Sequence, residues 1–337
     1  MLIFDSNITD NCYSSLAPDI IINCDNDTEV TVSVTHDNNT ILELTLFPYA
    51  HTVTLFELSR LLTDFMRDND LVYETFSINA EQGASTISKN LTVLFCTDAP
   101  VTPVTDFIEK NFLSVIREKL SPMNKEFVHF IGNDSLTAVI LTDSDTHNIS
   151  LTATTSDNIN SCEIDFGAIA QSLTIDVDDI KACIVKAGVR EMAFYRMNHD
   201  IRTAWKFKNA FNLWEYFETA NSSTSKTSDQ HKNAVVNALL VPYDFNKTQE
   251  HELQTAPMTI SECIWATQLI AAPKIIDNKN REIIITDAKT EFSDKANEMQ
   301  SIAFTWQFKH TKATFNEDGY NSNYARIHSQ QYDTQYN

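Results

Sequence analysis

Alternating apolar residues predict that the chain begins with a β-rich module. Every second residue is apolar over 30–34 and again over 42–46, and an Asp-Asn-Asn turn lies between the two stretches. Such alternation is typical of a β-hairpin with one buried face. Thr54 and Glu57 then form a Thr-x-x-Glu capping box ahead of an amphipathic stripe. We therefore expect a small sheet covered by one helix that begins at this box.

The pattern changes to a helical period after the first module. Apolar residues over 104–116 fall on one face of a helix, and Pro122 would end the run. We therefore predict a linker helix over 103–122 that joins two β-rich modules.

A second β module is predicted after this helix. Strands are expected over 136–141 and 149–153, on either side of a polar turn. A further strand is expected over 173–177. It would be followed by a short helix over 179–186, with Asp178 as the N-cap residue.

A dense run of aromatic residues begins the third module. Six aromatic residues lie within thirteen positions: Trp205, Phe207, Phe211, Trp214, Tyr216 and Phe217. Aromatic side chains bury large areas at a small cost in rotamer entropy. Such a run therefore forms either the core of a module or its contact with another subunit, and we interpret it as the start of an assembly module.

The rest of the third module again reads as strands around one helix. The polar stretch over 221–232 predicts a mobile loop. A second Thr-x-x-Glu box, formed by Thr259 and Glu262, predicts a helix of about three turns. A hairpin is expected over 274–286, and strict alternation over 302–308 predicts a strand.

These patterns together predict a mainly β protein with a few helices and three β-sandwich-like modules. The predicted units are an N-terminal β module (1–102), the linker helix (103–122), a second β module (123–198), a C-terminal module (199–315) and a flexible polar tail (316–337). The tail has no apolar periodicity, so we expect it to be ordered only by a partner.

Composition narrows the classes of partner. The formal charge of −21 argues against a surface that binds nucleic acid, because such binding depends on Lys and Arg next to phosphates. It suits solubility, or a surface past which DNA slides without sticking. The six cysteines form no CxxC pair, which indicates free thiols in a reducing cytosol. No signal peptide and no apolar stretch of membrane-spanning length is apparent, so we expect no membrane span.

The sequence offers little catalytic or metal-binding chemistry. Its five glycines are too far apart for a phosphate-binding loop, and GxSxG, SxxK and HExxH patterns are missing. Residues 143–147 resemble the start of a calcium loop but lack its glycine and its final glutamate. We therefore expect no enzyme, cofactor or metal. Two alternatives stay open: glycan binding by stacking on Trp205 and Trp214, and a hydrolase whose carboxylates converge in a cleft.

Three segments, taken in order, resemble a family of tail-associated structural proteins from phages and prophages of Bacteroidetes bacteria. The first is the Phe-Ile-Glu-Lys-Asn-Phe-Leu run over 107–119, followed by Glu-Phe at 126–127. The second is Phe-Lys-Asn-Ala-Phe-Asn over 207–212, where lysine, alanine and the later Trp214 replace the family's arginine and two prolines. The third is the hairpin and the Phe-x-Trp-x-Phe strand over 283–308.

This resemblance implies a non-enzymatic virion protein at the distal end of a phage tail or in its baseplate. Its C-terminal module would resemble a tail ring domain and form a homo-oligomeric ring of six copies. The protein would link the tail tube to the tail tip, contact other tail proteins, and be assembled in the host bacterial cytoplasm. The outer modules could then face the host surface, and a glycan-binding adhesion module on the virion is the alternative.

Overall fold

The protein is mainly β, as predicted, and its strands form five sheets within the residues that the structure describes. The computed structural model describes residues 2–5, 9–197, 203–220, 223–236, 239–290 and 299–309. Over 227–236 and 239–248 the description is of the backbone. The predicted flexible tail over 316–337 lies outside the described residues.

The first part of the chain folds into two sheets that share a core with one helix. Its elements are β1 (Ile3–Phe4), β2 (Asn11–Tyr13), β3 (Ile20–Asn23), β4 (Val30–His36), β5 (Asn39–Leu46), β6 (Thr52–Leu55), α1 (Leu58–Asp68), β7 (Tyr73–Gln82) and β8 (Ser85–Leu94). The sheets have the strand orders β1-β3-β6 and β2-β8-β7-β4-β5. Leu58, Leu62 and Met66 of α1 pack into their common core.

The predicted hairpin is confirmed, whereas the first capping box is wrong. Asp37 and Asn38 join β4 to β5 with φ of 49° and 64°, the paired positive angles that favour Asp and Asn in tight hairpins. Thr54 instead pairs with Ile21 inside a sheet. Glu57, at φ 58°, donates its backbone N–H to the Asp19 carboxylate at 3.0 Å, and the helix begins after it.

The middle part of the chain contains two short helices and a pair of sheets. Its elements are α2 (Val104–Lys110), β9 (Glu118–Ser121), β10 (Lys125–Ile131), β11 (Leu136–Thr142), β12 (Thr146–Ser150), β13 (Thr154–Ser156), β14 (Ile159–Asp165), α3 (Phe166–Leu173), β15 (Ile180–Ala187) and β16 (Arg190–Arg196). The sheets have the orders β10-β14-β13 and β12-β11-β15-β16-β9, and their buried faces pack together.

The predicted linker helix over 103–122 is too long, because the helix ends at Lys110 and a strand follows at 118–121. The apolar residues after Lys110 serve two different cores. Phe112 and Ile116 join the core of the middle part, while Leu113 joins a second cluster that involves the first part. A continuous helix would place all of these residues on one face, so the chain leaves the helix to reach both cores.

The helix predicted over 179–186 is also wrong, since this segment is β15. It lies between β11 and β16 in the middle of a five-stranded sheet, and both neighbours pair with it. The strand predicted over 173–177 is wrong, because these residues connect the end of α3 to a 3-10 turn at Val177–Asp179. Asp178 caps no helix; the Asp176 carboxylate accepts its backbone N–H at 3.0 Å.

The third part of the chain forms one seven-stranded sheet with two short helices. Its elements are β17 (Thr203–Lys208), β18 (Trp214–Thr219), β19 (Thr224–Val236), β20 (Leu239–Gln254), α4 (Ile260–Ala266), α5 (Gln268–Ala271), β21 (Ile275–Asp277), β22 (Glu282–Lys289) and β23 (Ala303–Phe308). The order is β18-β17-β21-β22-β23-β20-β19. The capping box of Thr259 and Glu262 is confirmed at the start of α4.

The mobile loop predicted over 221–232 is wrong from Thr224 onward, because these residues belong to β19. β19 and β20 pair from Thr224 opposite Glu252 to Val236 opposite Leu239. β20 pairs with β23 only over His251–Gln254. Residues 226–236 and 239–250 therefore form a two-stranded ribbon beyond the sheet, which we call the arm.

Two of the sheets have a parallel pair of strands at one edge. β2, the second strand of the chain, lies parallel to β8, the last strand of the first part. In the same way β9, the first strand of the middle part, lies parallel to β16, its last strand. In both parts, a strand from the start of the part forms the edge of the sheet, next to the last strand of the same part.

Candidate functional site

The six aromatic residues of the run lie in three different environments. Trp205, Phe207 and Phe217 lie in the core of the seven-stranded sheet, where at most 4% of each side chain is exposed. Trp205 and Phe217 are direct cross-strand partners with ring centroids 5.8 Å apart. Phe217 also lies 5.8 Å from Trp265 of α4. Since alternate residues of a strand share a face, β17 and β18 present these three rings to the helix.

Phe211 lies in the turn between β17 and β18, in a cluster that we call the junction core. Its ring stacks on Phe107 of α2, with centroids 5.3 Å apart. The buried members of the junction core come from all three parts of the chain: Tyr13, Val72, Leu94, Cys96, Val104, Phe107, Leu113, Ile159, Ala210, Phe211 and Leu213. Burial of these side chains stabilises the three parts against one another.

Asn209 fixes the turn that carries Phe211. Its side-chain oxygen accepts the backbone N–H groups of Phe211 and Leu213 at 2.9 and 3.1 Å. Its amide group donates to the Leu113 carbonyl at 2.9 Å and to the Glu215 carboxylate at 2.6 Å. These partners saturate a buried amide, so the turn holds Phe211 in one position.

Trp214 and Tyr216 lie on the opposite face and are half-buried. With Phe127 they surround the ammonium group of Lys206, which lies 4.7 Å from the Phe127 ring centroid, 5.4 Å from Tyr216 and 5.7 Å from Trp214. Phe127 and Tyr216 stack at 5.0 Å. We call these four residues the lysine–aromatic patch. The rings stabilise the cation through their negative faces.

A buried ion pair of the middle part lies where this part contacts the third part. The Lys119 ammonium lies 2.7 Å from the Glu126 carboxylate, and both side chains are less than 5% exposed. Lys119 also donates to the Tyr216 carbonyl at 3.1 Å and lies 4.5 Å from the Trp265 ring centroid. Glu262 of the confirmed capping box accepts the Leu120 backbone N–H at 2.6 Å. The charged groups therefore join β9 and β10 to β18 and α4.

Three carboxylates converge here, but the space between them is small. Glu126, Glu218 and Glu262 line a cavity of about 20 Å³ beside Lys119. That volume holds one water molecule and is far too small for a sugar ring. Burial raises the pKa of Glu126, and the Lys119 ammonium opposes this change. The arrangement can bind a proton or a water, and it gives no access to a polysaccharide.

The Glu218 carboxyl should make stability dependent on pH. Burial, and then the nearby Glu126 carboxylate, raises its pKa from 4.5 to about 7. The folded chain thus binds more protons than the unfolded chain between these values, so stability falls as pH rises through this window. We expect Glu218→Gln to be about 1–3 kcal/mol more stable than the wild type at pH 8 and similar to it at pH 4.

Urea unfolding at both pH values would test this expectation. The matched control is Glu109→Gln on the exposed side of α2, which should leave the difference between the two pH values unchanged. An equal gain for Glu218→Gln at pH 4 and pH 8 would show that the carboxyl is not titrating as described.

The described residues include no group of three or more His, Cys, Asp or Glu side chains placed to hold a metal ion. The segment over 143–147 that resembles a calcium loop forms the turn after β11 and the first two residues of β12. The Thr142 hydroxyl accepts the Asp145 N–H there at 2.9 Å. Asp143 pairs with Lys181 at 3.0 Å.

Comparisons with known proteins found no family and only weak structural similarity. No protein-family model and no curated protein matches the chain. Among solved structures, the titin domains Z1Z2 in complex with telethonin are 10% identical, with 58% of this chain and 95% of that chain covered, at a TM-score of 0.21. The plexin A4 extracellular region is 8% identical, with 94% and 40% covered, at a TM-score of 0.23. None of the described helices is long and apolar enough to cross a membrane.

Proposed function

We propose that the protein is a structural subunit of a phage tail, without enzymatic activity, that forms a ring at the distal tail or baseplate and links the tail tube to the tail tip. The observation that carries this proposal is the junction core. Phe107 and Phe211 stack within one cluster that three parts of the chain share. A body joined in this way transmits position between its ends, as an adaptor must.

The first part offers surfaces for contact with other tail proteins. Phe47 and Tyr49, in the turn after β5, are 74% and 88% exposed, and Phe56 at the end of β6 is 69% exposed. Aromatic side chains are enriched at protein interfaces relative to the rest of the surface. We expect these residues to be covered in the assembled tail, with the host surface as a further possible contact of this part.

Labelling of intact particles tests the proposal. The chain, carrying a small C-terminal tag, should be found in the tail of purified virions, at one ring-shaped position near the tip. Mass measurement should give a homo-oligomer or a stable complex with other tail proteins. Absence from the particle, together with a monomer at high concentration in the presence of those proteins, would contradict the proposal.

A glycan-binding adhesion module is the second candidate, and the lysine–aromatic patch is the observation that favours it. Trp205 is buried and cannot stack on a sugar, but Trp214 is half-buried, and the Lys208 and Lys274 ammonium groups lie 5.0 and 6.0 Å from its ring. Acidic sugars would suit such a surface. Binding to a glycan array that Trp214→Ala removes and Phe47→Ala retains would support this candidate in place of the adaptor.

A further inference from the structure

The arm is a long ribbon with little support from the rest of the fold. From Lys226 opposite Glu250 to Val236 opposite Leu239, eleven residue pairs join β19 only to β20. At about 3.3 Å per residue the ribbon is roughly 36 Å long. Among the described elements, β23 is the only neighbour with extensive contact to either strand. Its pairing with β20 covers only His251–Gln254.

Isolation of a two-stranded ribbon is energetically unfavourable. A hairpin alone in water is marginally stable, and a third strand or a packed face is what makes it persist. Thirteen residues of β19 form an outer edge with no partner strand among the described residues. The fold therefore carries an element whose stability depends on something that binds it.

The two edges of the arm differ in their capacity to accept a strand. β20 contains Pro242, which has no backbone N–H to donate, and its register slips by one residue here, because Asn233 opposes Pro242 while Lys232 opposes Asp244. Tyr243 is the extra residue. β19 has no proline from Thr224 to Val236. Its edge is therefore the one suited to strand addition.

Charge indicates what the partner is. The chain carries a formal charge of −21, so two copies repel one another over most of their surface. The arm itself adds nothing to this repulsion, because it carries three basic and three acidic residues: Lys226, Lys232, Lys247, Asp229, Asp244 and Glu250. The sequence near the closed end is apolar over 234–236 and 239–242. A neutral ribbon with an apolar end favours contact with the arm of a second copy of this chain.

We propose that the arm joins two copies of this chain, with the β19 edge of one copy pairing with the β19 edge of another and the apolar end covered by the neighbour. This inference rests on the proposed self-assembling function and adds a contact to it: pairing of β19 with β19 is two-fold and joins copies in pairs, whereas closure of a ring uses a separate head-to-tail interface. Strand addition satisfies the backbone groups of β19, and the neutral composition of the arm lets two acidic copies approach.

Truncation of the arm is the main test. Replacing residues 228–248 by Asn-Gly leaves a short hairpin whose turn residues suit a two-residue connection, and it keeps the pairing of β20 with β23. Sedimentation velocity over increasing concentration should show association of the wild type in pairs, and the truncated chain should lose this paired species. Its thermal unfolding should stay within a few degrees of the wild type, because the truncation keeps the pairing with β23, the one further described element in extensive contact with β20.

A point variant and a cross-link make the test specific. Val235→Asp with Leu240→Asp changes a directly opposed pair near the closed end and should weaken association at least tenfold. Val189→Asp, at a position 78% exposed in the turn before β16, is the matched control and should associate like the wild type. Gln230→Cys in the middle of β19 should give a dimer with a short bis-maleimide, since the six native cysteines are buried.

The outcomes separate this inference from the proposed function. A truncated chain that associates as the wild type does, or a Gln230→Cys chain that gives no cross-linked dimer, overturns the role of the arm while the ring proposal stands. A monomeric wild type also overturns it. The adaptor proposal fails only if, in addition, no other tail protein binds the chain and labelled particles lack it.

Discussion

Phe211→Ala should lower the free energy of unfolding by about 3–5 kcal/mol, the usual cost of removing a fully buried phenylalanine. The ring is 1% exposed and stacks on Phe107, so its loss leaves a cavity in the middle of the junction core. Because this core joins three parts of the chain, we expect the wild type to unfold in one transition in urea and Phe211→Ala to unfold in at least two. Fluorescence and circular dichroism should then give different midpoints.

Two further variants define the cause of that effect. Phe211→Leu keeps most of the volume and should cost less than the alanine variant while retaining one transition. Phe47→Ala removes the same ring from a position that is 74% exposed, and its effect should stay within about 0.5 kcal/mol. Coincident transitions in Phe211→Ala would mean that the parts are held together mainly by other contacts.

Lys119→Met should cost about 3–5 kcal/mol, because it leaves the Glu126 carboxylate buried without its cation. The double variant with Glu126→Gln should recover most of this loss, since it removes the charge that was stranded. Without Lys119 the pKa of Glu126 rises further, because the ammonium opposes the effect of burial. The folded single variant then binds a proton that the unfolded chain releases, so its loss of stability should be larger at pH 8 than at pH 5.

A surface ion pair supplies the control for this variant. Lys181 lies 3.0 Å from Asp143, but both side chains are largely exposed. Exposed pairs contribute little, so Lys181→Met should change stability by less than about 1 kcal/mol at either pH. If the two methionine variants cost the same, or if the double variant recovers nothing, the buried pair is not the source of the stability.

Local signals in the sequence were reliable where neighbouring residues decide the structure. The turn at Asp37 and Asn38 needs only positive φ angles in adjacent residues. The capping box of Thr259 and Glu262 needs only residues three apart. An identical pattern at Thr54 failed, because β3 pairs with this residue and draws it into a sheet. Pairing with a distant strand overrides a weak local preference.

Neither the long strands nor the ion pair could be predicted from short windows. Residues 180–187 carry a helix-compatible pattern, yet two neighbouring strands fix them as β15. Leu120 and Glu262 are bonded across 142 residues of sequence. Four of the six aromatic residues of the run are buried: Trp205, Phe207, Phe211 and Phe217. The aromatic run divides between a sheet core, the junction core and the lysine–aromatic patch. This division arises because Phe211 lies in the turn between β17 and β18, and because alternate residues of a strand face opposite sides of the sheet.

The two parallel strand edges have a consequence for synthesis on the ribosome. Ser14, just after β2, bonds to Cys96, just after β8, and 82 residues separate them. At 5–20 residues per second, β2 waits roughly 4–16 s after its own translation before its partner strand exists. The same delay recurs when β9 waits for β16. Nascent chains therefore carry unpaired β-forming segments for seconds, and slower translation of either part should increase their exposure to chaperones.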